Sequence, residues 1–526
     1  MRFFNTAGPV NCKKHYCLPP LERVNLPEIM RLISQEKYFV LHAPRQVGKT
    51  STLLALMETL NRQGKYRCLY VNIEAAQAAR EDVDTAMRAI LVEMAQRANI
   101  YLQDSFLLDH YQSILQESGE FAAINTALTL WAGASPQPLI LLIDEIDSLV
   151  GDTLIAVLRQ LRAGYDKRPT NFPQSVVLCG VRNIQDYRIH SSREKSVITG
   201  GSAFNIRAAS LRMGDFTQPE MEQLYQEHTN ETGQIFHKDA LQMLWHLTQG
   251  QPWLVNALGY ELCFEMEPGR DHVQPITVEL VMQAKERLIL RRETHLDQLT
   301  DKLREERVKR VIEPILSGEG DPNLIPTDDI DYVRDLGLIK ANAPQLEIAN
   351  PIYKEVIPRE LTYSTQLTIA HEQKWYLTAD GNLAMDKLLT AFQQFFREHS
   401  EHWIERFQYQ EAGPQLLLQA FLQRILNGGG SILREYGLGR GRTDLLITWR
   451  TPTGDPQRIV IETKVLRGTR TKTITQGLEQ TWRYMDQSNA DEGHLILFDT
   501  SQKAWSEKIF RQLDQHQSIP IHIWGM

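Results

Sequence analysis

A chain of 526 residues, 42% hydrophobic and 23% charged, is long enough for about three domains, and its mix is not that of a disordered chain, a collagen-like fibre or a coiled-coil rod. The formal net charge of −8 excludes a molecule-wide cationic surface, so any contact with nucleic acid has to be a local patch. Five cysteines are odd and sparse for a disulfide framework and fit a reducing, cytoplasmic setting.

The opening MRFFNTAGPVNCKKH lacks the apolar run of a secretory signal. Cys12, His15 and Cys17 crowd together without the fourth ligand a structural zinc takes. Over residues 1–215 apolar runs alternate with helical patterns, which predicts an α/β fold with a parallel sheet. Candidate strands are 37–44, 66–74, 138–147, 174–183 and 204–213. A helix is expected over 50–64, where Leu53, Leu54, Met57 and Leu60 keep helical spacing and Gly64 gives a stop. The uncharged stretch Phe121 to Ile143 is broken by Asn125, Ser135, Pro136, Gln137 and Pro138, so no membrane helix is expected there. Residues 216–300 read as an α-helical lid. Residues 301–362 read as helix, short helix, small hairpin and helix, the order of a winged-helix module. A polar linker over 363–385 leads to a second α/β region, 386–526.

The segment APRQVGKT ends a predicted strand and opens a predicted helix, the context of a phosphate-binding loop. Backbone N–H groups of Pro44–Arg45–Gln46–Val47–Gly48 and the first helical turn, Lys49–Thr50–Ser51, would face the phosphates, proline excepted. Lys49 would add a compact charge, and the Thr50 hydroxyl a ligand for Mg²⁺. Ala43 stands where the motif has its first glycine. Downstream, LILLIDEID ends an apolar strand in Asp144, suited to the Mg²⁺ shell, and Glu145, suited to orienting and deprotonating the attacking water.

At these residues the chain resembles the AAA-like ATPases of the additional-strand class, near the initiator and signal-transduction (STAND) relatives, over residues 20–362. The resemblance implies ATP as cofactor and a γ-phosphate-sensing residue after the fourth strand, at Asn183 or Arg182. It also implies a Gly-x-Pro element in the lid that leans on the nucleotide, at Gly250, Gln251 and Pro252, and a winged helix after the lid.

A second chemistry lies near the other end. GRTDLLITW is followed by RIVIETKV, where Glu462 and Lys464, two apart on a strand, share one face while Thr463 faces away. If the two segments pair as a hairpin, Asp444 lies beside Glu462 and two carboxylates converge with an ammonium, a set suited to Mg²⁺ or Mn²⁺ and to attack on phosphorus. Residues 434–472 carry nine Lys/Arg against four Asp/Glu, a rim that attracts phosphodiester backbone. This region resembles the PD-(D/E)XK nuclease superfamily. The resemblance implies a helical carboxylate at Glu411, or alternatively Glu435, and a Gln-x-x-x-Tyr pair at Gln480 and Tyr484; Gly439 to Thr443 stand where the family's proline would be.

The resulting expectation is an ATP-binding and ATP-hydrolysing switch coupled to a metal-dependent DNA phosphodiesterase, with DNA as partner, self-association left open and no membrane. The alternative is a STAND-like regulatory ATPase whose nuclease-like domain only binds nucleic acid or a protein.

Overall fold

The computed structural model describes residues 1–182, 188–191, 196–199, 205, 207–291, 301–317, 325–340, 346–357, 376–406, 413–426, 430–438, 441–451, 455–466, 468–499, 501 and 503–526. The chain forms two compact units. One comprises Met1–His295 with Pro326–Asn350, the other Leu296–Ile325 with Pro351–Met526.

In the first unit all five predicted strands are present: β1 (Tyr38–His42), β2 (Arg67–Asn72), β3 (Leu139–Asp144), β4 (Ser175–Gly180) and, after a two-stranded hairpin of β5 (Arg188–Ser191) and β6 (Ser196–Thr199), β7 (Arg207–Arg212). Their order is β2-β3-β4-β1-β7, every pairing parallel. β1, β3 and β4 are buried at every position, because helices cover both faces and leave no strand side for water. β4 sits between β1 and β3, the extra strand of the expected class.

Around this sheet lie α1 (Leu26–Ser34), α2 (Lys49–Gln63), α3 (Val83–Leu102), α4 (Phe106–Ser118), α5 (Ala123–Ala134) and α6 (Gly151–Ala163). The uncharged stretch from Phe121 resolves into α5 and β3. Ser135 ends the helix in extended backbone, and among the described residues no helix is long and apolar enough to cross a membrane.

The lid contains α7 (Gln218–Thr232), α8 (Lys238–Thr248), α9 (Pro252–Tyr260) and α10 (Val278–Leu290). α7 opens on a capping box between Thr217 and Glu220, which satisfies two otherwise orphaned donors. Gly250 admits no side chain without strain: its φ is +79°, and a Cβ there would collide with the Phe216 carbonyl, while the Phe216 N–H donates to the Gly250 carbonyl at 2.8 Å.

The amino-terminal segment, which suggested no element, is a strap. Phe3 bridges His15, and Phe4 is fully buried against Tyr16, Tyr225 and His228. The turn from Asn11, whose carbonyl accepts from Lys14 N and His15 N, brings the Cα atoms of Cys12 and Cys17 to 5.2 Å, and the two form a disulfide. In the sequence these two cysteines stand out only as metal ligands, and the sparse cysteine count gives no sign of the pair. Cys68, Cys179 and Cys263 are buried thiols.

The elements expected of a winged helix occur in order as α11 (Glu306–Ser317), α12 (Thr327–Asp335), one antiparallel bridge, Ile339 to Ile348, and a helix over 351–357. They are shared between the units: α12 and the bridge belong to the first, α11 and the last helix to the second.

The second unit also contains α13 (Met385–Arg406), α14 (Gly413–Leu426), β8 (Gly430–Leu438), β9 (Gly441–Arg450), β10 (Pro456–Val465), α15 (Arg470–Ser488), β11 (Glu492–Phe498), β12 (Phe510–His516) and β13 (Ile519–Gly525). Its sheet has the order β12-β13-β11-β10-β9-β8. β8, β9 and β10 are antiparallel neighbours, whereas β10 and β11 run parallel, joined by the α15 crossover. α15 buries Leu478, Tyr484 and Met485 on Val460, Leu495 and Leu497.

Gly250→Ala is expected to lower the unfolding midpoint of the first unit, by about 1–3 kcal/mol of strain. Thermal or urea unfolding of the purified chain measures it, and an unchanged midpoint would remove the steric requirement.

Candidate functional site

The loop after β1 wraps despite Ala43. That residue continues the strand, its N–H donating to the Gly180 carbonyl at 3.2 Å, and the reversal is made instead by Gln46 and Gly48, at φ +58° and +108°. Gly48 caps α2, so the helix N-terminus opens onto the loop, where unpaired N–H groups favour an anion. Lys49 is buried and donates through Nζ to the carbonyls of Ala43 and Pro44, both at 3.0 Å. Pro44 and Val47 are buried, Arg45 and Gln46 exposed. Ser51 accepts at Oγ from Val10 N, 3.0 Å away, tying the strap to the first turn of α2.

Asp144, with no exposed surface, closes this site from β3. Its Oδ2 accepts from Thr50 Oγ1 at 2.7 Å and from the Tyr70 hydroxyl at 3.0 Å, and its Oδ1 from Glu145 N at 3.0 Å. Burial, and then Asp144 itself, push the Tyr70 phenol above its ordinary range, which keeps it a donor. Glu145 follows in left-handed backbone, φ +58°. Burial raises its carboxyl above the ordinary value, against the lowering influence of Lys49. A hydroxyl and a carboxylate in direct contact beside a helix N-terminus form a donor set that fits Mg²⁺.

Of the two sensing candidates, Asn183 lies outside the described residues, and Arg182 lies over the Tyr332 ring, 5.0 Å from its centroid. Pro252 is buried in the first turn of α9, behind Gln251, whose side chain caps Leu254 N at 2.6 Å.

A residue without a motif connects this lid element to the loop. Arg23 donates to the Val47 carbonyl at 2.5 Å and to the Gly214 carbonyl at 2.9 Å, and it covers the Phe216 ring at 4.4 Å. Burial draws its guanidinium down to about 10. Phe216 in turn pairs with Gly250. The strap adds a second tie, with the Trp253 indole N–H donating to the Thr6 carbonyl at 3.0 Å. A lone arginine in PLERVN offers no spacing that would single it out.

In the second unit β9 and β10 pair as the expected antiparallel hairpin. Leu445 is opposite Ile461, so Asp444 and Glu462 occupy the next positions along the two strands. The Asp444 side chain lies outside the described residues, as do Glu411 and the side chain of Glu435. Glu462 is 2% exposed, and Lys464 Nζ lies 2.9 Å from its Oε1; Thr463 is buried. On α15, Gln480 Oε1 has no hydrogen-bond partner among the described residues, whereas Tyr484 is packed into the core. Asp499, which attracted no reading, follows the end of β11 and accepts from Ser501 N at 3.0 Å.

The family model for the AAA-like domain matches residues 26–357, and the chain belongs to that family. Among solved structures, a Walker-type ATPase of Pyrococcus abyssi is similar at 14% identity and TM-score 0.48, with 67% of this chain and 99% of that one covered. The Cdc6p protein of Pyrobaculum aerophilum is similar at 14% and 0.35, covering 67% and 96%. The Holliday junction branch migration motor RuvB of Thermotoga maritima is similar at 13% and 0.32, covering 64% and 95%. No curated protein matches.

Because the folded-state Glu145 carboxyl is raised, its ionisation costs stability. The cost is absent below the ordinary carboxyl value and grows as pH rises through the folded one. Glu145→Gln is therefore expected to unfold at a higher temperature than the unaltered chain at about pH 7, the gap closing near about pH 4. Equal midpoints at the higher pH would contradict this placement of the carboxylate.

Proposed function

We propose that this AAA-like P-loop ATPase is a nucleotide-operated switch whose second unit is a metal-dependent DNA phosphodiesterase. The observation that carries the first half is the Thr50–Asp144 hydrogen bond beside the buried Lys49. Bound ATP would place its β- and γ-phosphates against the N–H groups of residues 45–51. Lys49 would exchange its two carbonyl partners for phosphate oxygens, and Thr50 and Asp144 would hold Mg²⁺, which supplies charge neutralisation at the phosphates. Glu145, raised and poorly solvated, is suited to take a proton from water. The lid element at Gly250–Pro252 would read the nucleotide through Arg23 and the strap.

The second half rests on the hairpin register that aligns Asp444 with Glu462, and on the buried Glu462 held by Lys464. Antiparallel strands followed by a parallel crossover strand agree with the resemblance to the nuclease superfamily. Asp444 and Glu462 would hold Mg²⁺ or Mn²⁺, whose part is to supply an activated water. Lys464 would steady charge developing on the scissile phosphate, and Gln480 would orient the substrate backbone.

The switch has a covalent route. α12 and the bridge after it sit in the first unit, but the chain on either side belongs to the second. Gly337 lies against Pro44, where a Cβ would come within 2.9 Å of the proline ring. Asp335 faces His42 at 3.6 Å and Arg212 at 3.8 Å. A shift of the phosphate loop on nucleotide binding would thus move a segment tethered at both ends to the second unit.

Lys49→Ala is expected to weaken ATP binding about 100-fold, the loss of charge-assisted bonds to phosphate, as measured by titration calorimetry; unchanged affinity defeats the nucleotide site. Separately, Asp444→Ala and Lys464→Ala are expected to abolish Mg²⁺- or Mn²⁺-dependent cleavage of plasmid and linear DNA while leaving ATP affinity intact. Absence of cleavage by the unaltered chain, with and without ATP, would turn the second unit into a binding module.

A further inference from the structure

The second unit has a second group of chemistry-bearing side chains that the phosphodiester reading does not use. Asp386 stands in the first turn of α13, Glu492 at the start of β11 and His522 in β13, and each offers a ligand atom within 4.8 Å of the others. Strand alternation puts them away from Glu462. Leu495 pairs with Glu462 and packs with Leu497, Ile521 and Ile523 under α15. Glu492, His494 and His522 are out of phase with those residues and therefore lie on the opposite face. That is the face α13 covers, its Gln393 donating to the Phe510 and Gly525 carbonyls at 3.0 and 2.7 Å.

We propose that Asp386, Glu492 and His522 form a site for a divalent transition-metal ion, distinct from the Asp444–Glu462 pair. His522 Nδ1 lies 3.9 Å from Asp386 Oδ1, a separation that closes onto one ion with shifts well under an ångström per ligand at bond lengths of about 2.0–2.2 Å.

The supporting residues are built as metal sites require. His494 is fully buried. Its Nε2 lies 3.0 Å from Glu492 Oε1 yet makes no hydrogen bond among the described residues. Trp524 Nε1 donates to His494 Nδ1 at 3.1 Å, which leaves Nε2 as the ring nitrogen nearest the Glu492 carboxylate. With Nδ1 occupied by Trp524, His494 stands beside the cluster as a neighbour of the Glu492 carboxylate, a buried polar atom with no hydrogen-bond partner among the described residues turned toward it. The His522 ring stacks on His494, centroids 5.2 Å apart, which sets its plane. Arg511 pairs with Asp386 Oδ2 and lies over Trp524 at 4.7 Å, leaving Asp386 Oδ1 toward His522. One imidazole and two carboxylates select a transition-metal ion such as zinc over Mg²⁺, which takes oxygen ligands and keeps its water.

The full chain, stripped with chelator and dialysed against zinc chloride, is expected to retain one zinc ion per chain that excess Mg²⁺ does not displace. Asp386→Asn, at a half-exposed position that leaves the core intact, and His522→Ala should each lose it. Lys464→Ala should keep it, and Arg511→Gln, which frees Asp386 from its ion pair, should bind zinc at least as tightly as the unaltered chain. If the unaltered chain retains no more zinc than Asp386→Asn, or if Arg511→Gln loses the ion as Asp386→Asn does, the cluster is an ion-pair network and the proposal is overturned.

Discussion

Burying a carboxylate costs several kcal/mol unless its oxygens are hydrogen-bonded, and Asp144 has no exposed surface at all. The three groups that satisfy it come from three elements: Thr50 at the start of α2, Tyr70 in β2 and the Glu145 N–H after β3. The cost of burial is therefore offset only when the helix start, the neighbouring strand and the strand end are all in place. The same donors that make the carboxylate tolerable fix the start of α2 against the sheet, and Glu145 follows in left-handed backbone. Stability of this corner and readiness to receive a phosphate are one arrangement.

That corner was legible in the sequence because its parts obey strict local rules. A buried parallel strand must be apolar throughout, and a loop turning into a helix N-terminus needs a residue without a Cβ next to the lysine, so VGKT and LILLIDEID announce themselves. The missing first glycine mattered little, since Ala43 is extended and Gln46 takes up the left-handed turn. The ties between loop and lid were not legible. Arg23 and the strap act through backbone carbonyls, at Val47, Gly214 and Thr6, and a carbonyl carries no trace in the amino-acid code. The Cys12–Cys17 pair left no signal because the closeness of the two depends on a turn held by Asn11 rather than on their spacing.

In the second unit the hairpin and the shared face of Glu462 and Lys464 follow from the period of two, but three strands escaped. β8 and β12 mix charged and polar residues with sparse apolar ones, as strands at the two edges of a sheet do. β13 carries Pro520, which argues against an inner strand. It is accommodated because Pro520 is near the strand's start, opposite Gln515 close to the end of β12, where a missing donor interrupts little of the ladder. The metal-suited cluster was invisible for a related reason: its members come from three elements, with Asp386 on α13 more than a hundred residues before Glu492 on β11 and His522 on β13.

The division of residues 301–362 bears on how such a switch works. A free-standing winged helix would report on the nucleotide only by being carried with the lid. Here α12 is part of the ATPase unit's own packing, with Asp335 between His42 at the end of β1 and Arg212 at the end of β7, while α11 and the helix over 351–357 pack in the other unit. The chain crosses between units on both sides of α12, and within the first unit Gly337, just after α12, lies against Pro44 of the phosphate loop. Within the first unit, the seating of α12 beside the loop rests on Asp335 and on the close approach of Gly337 to Pro44.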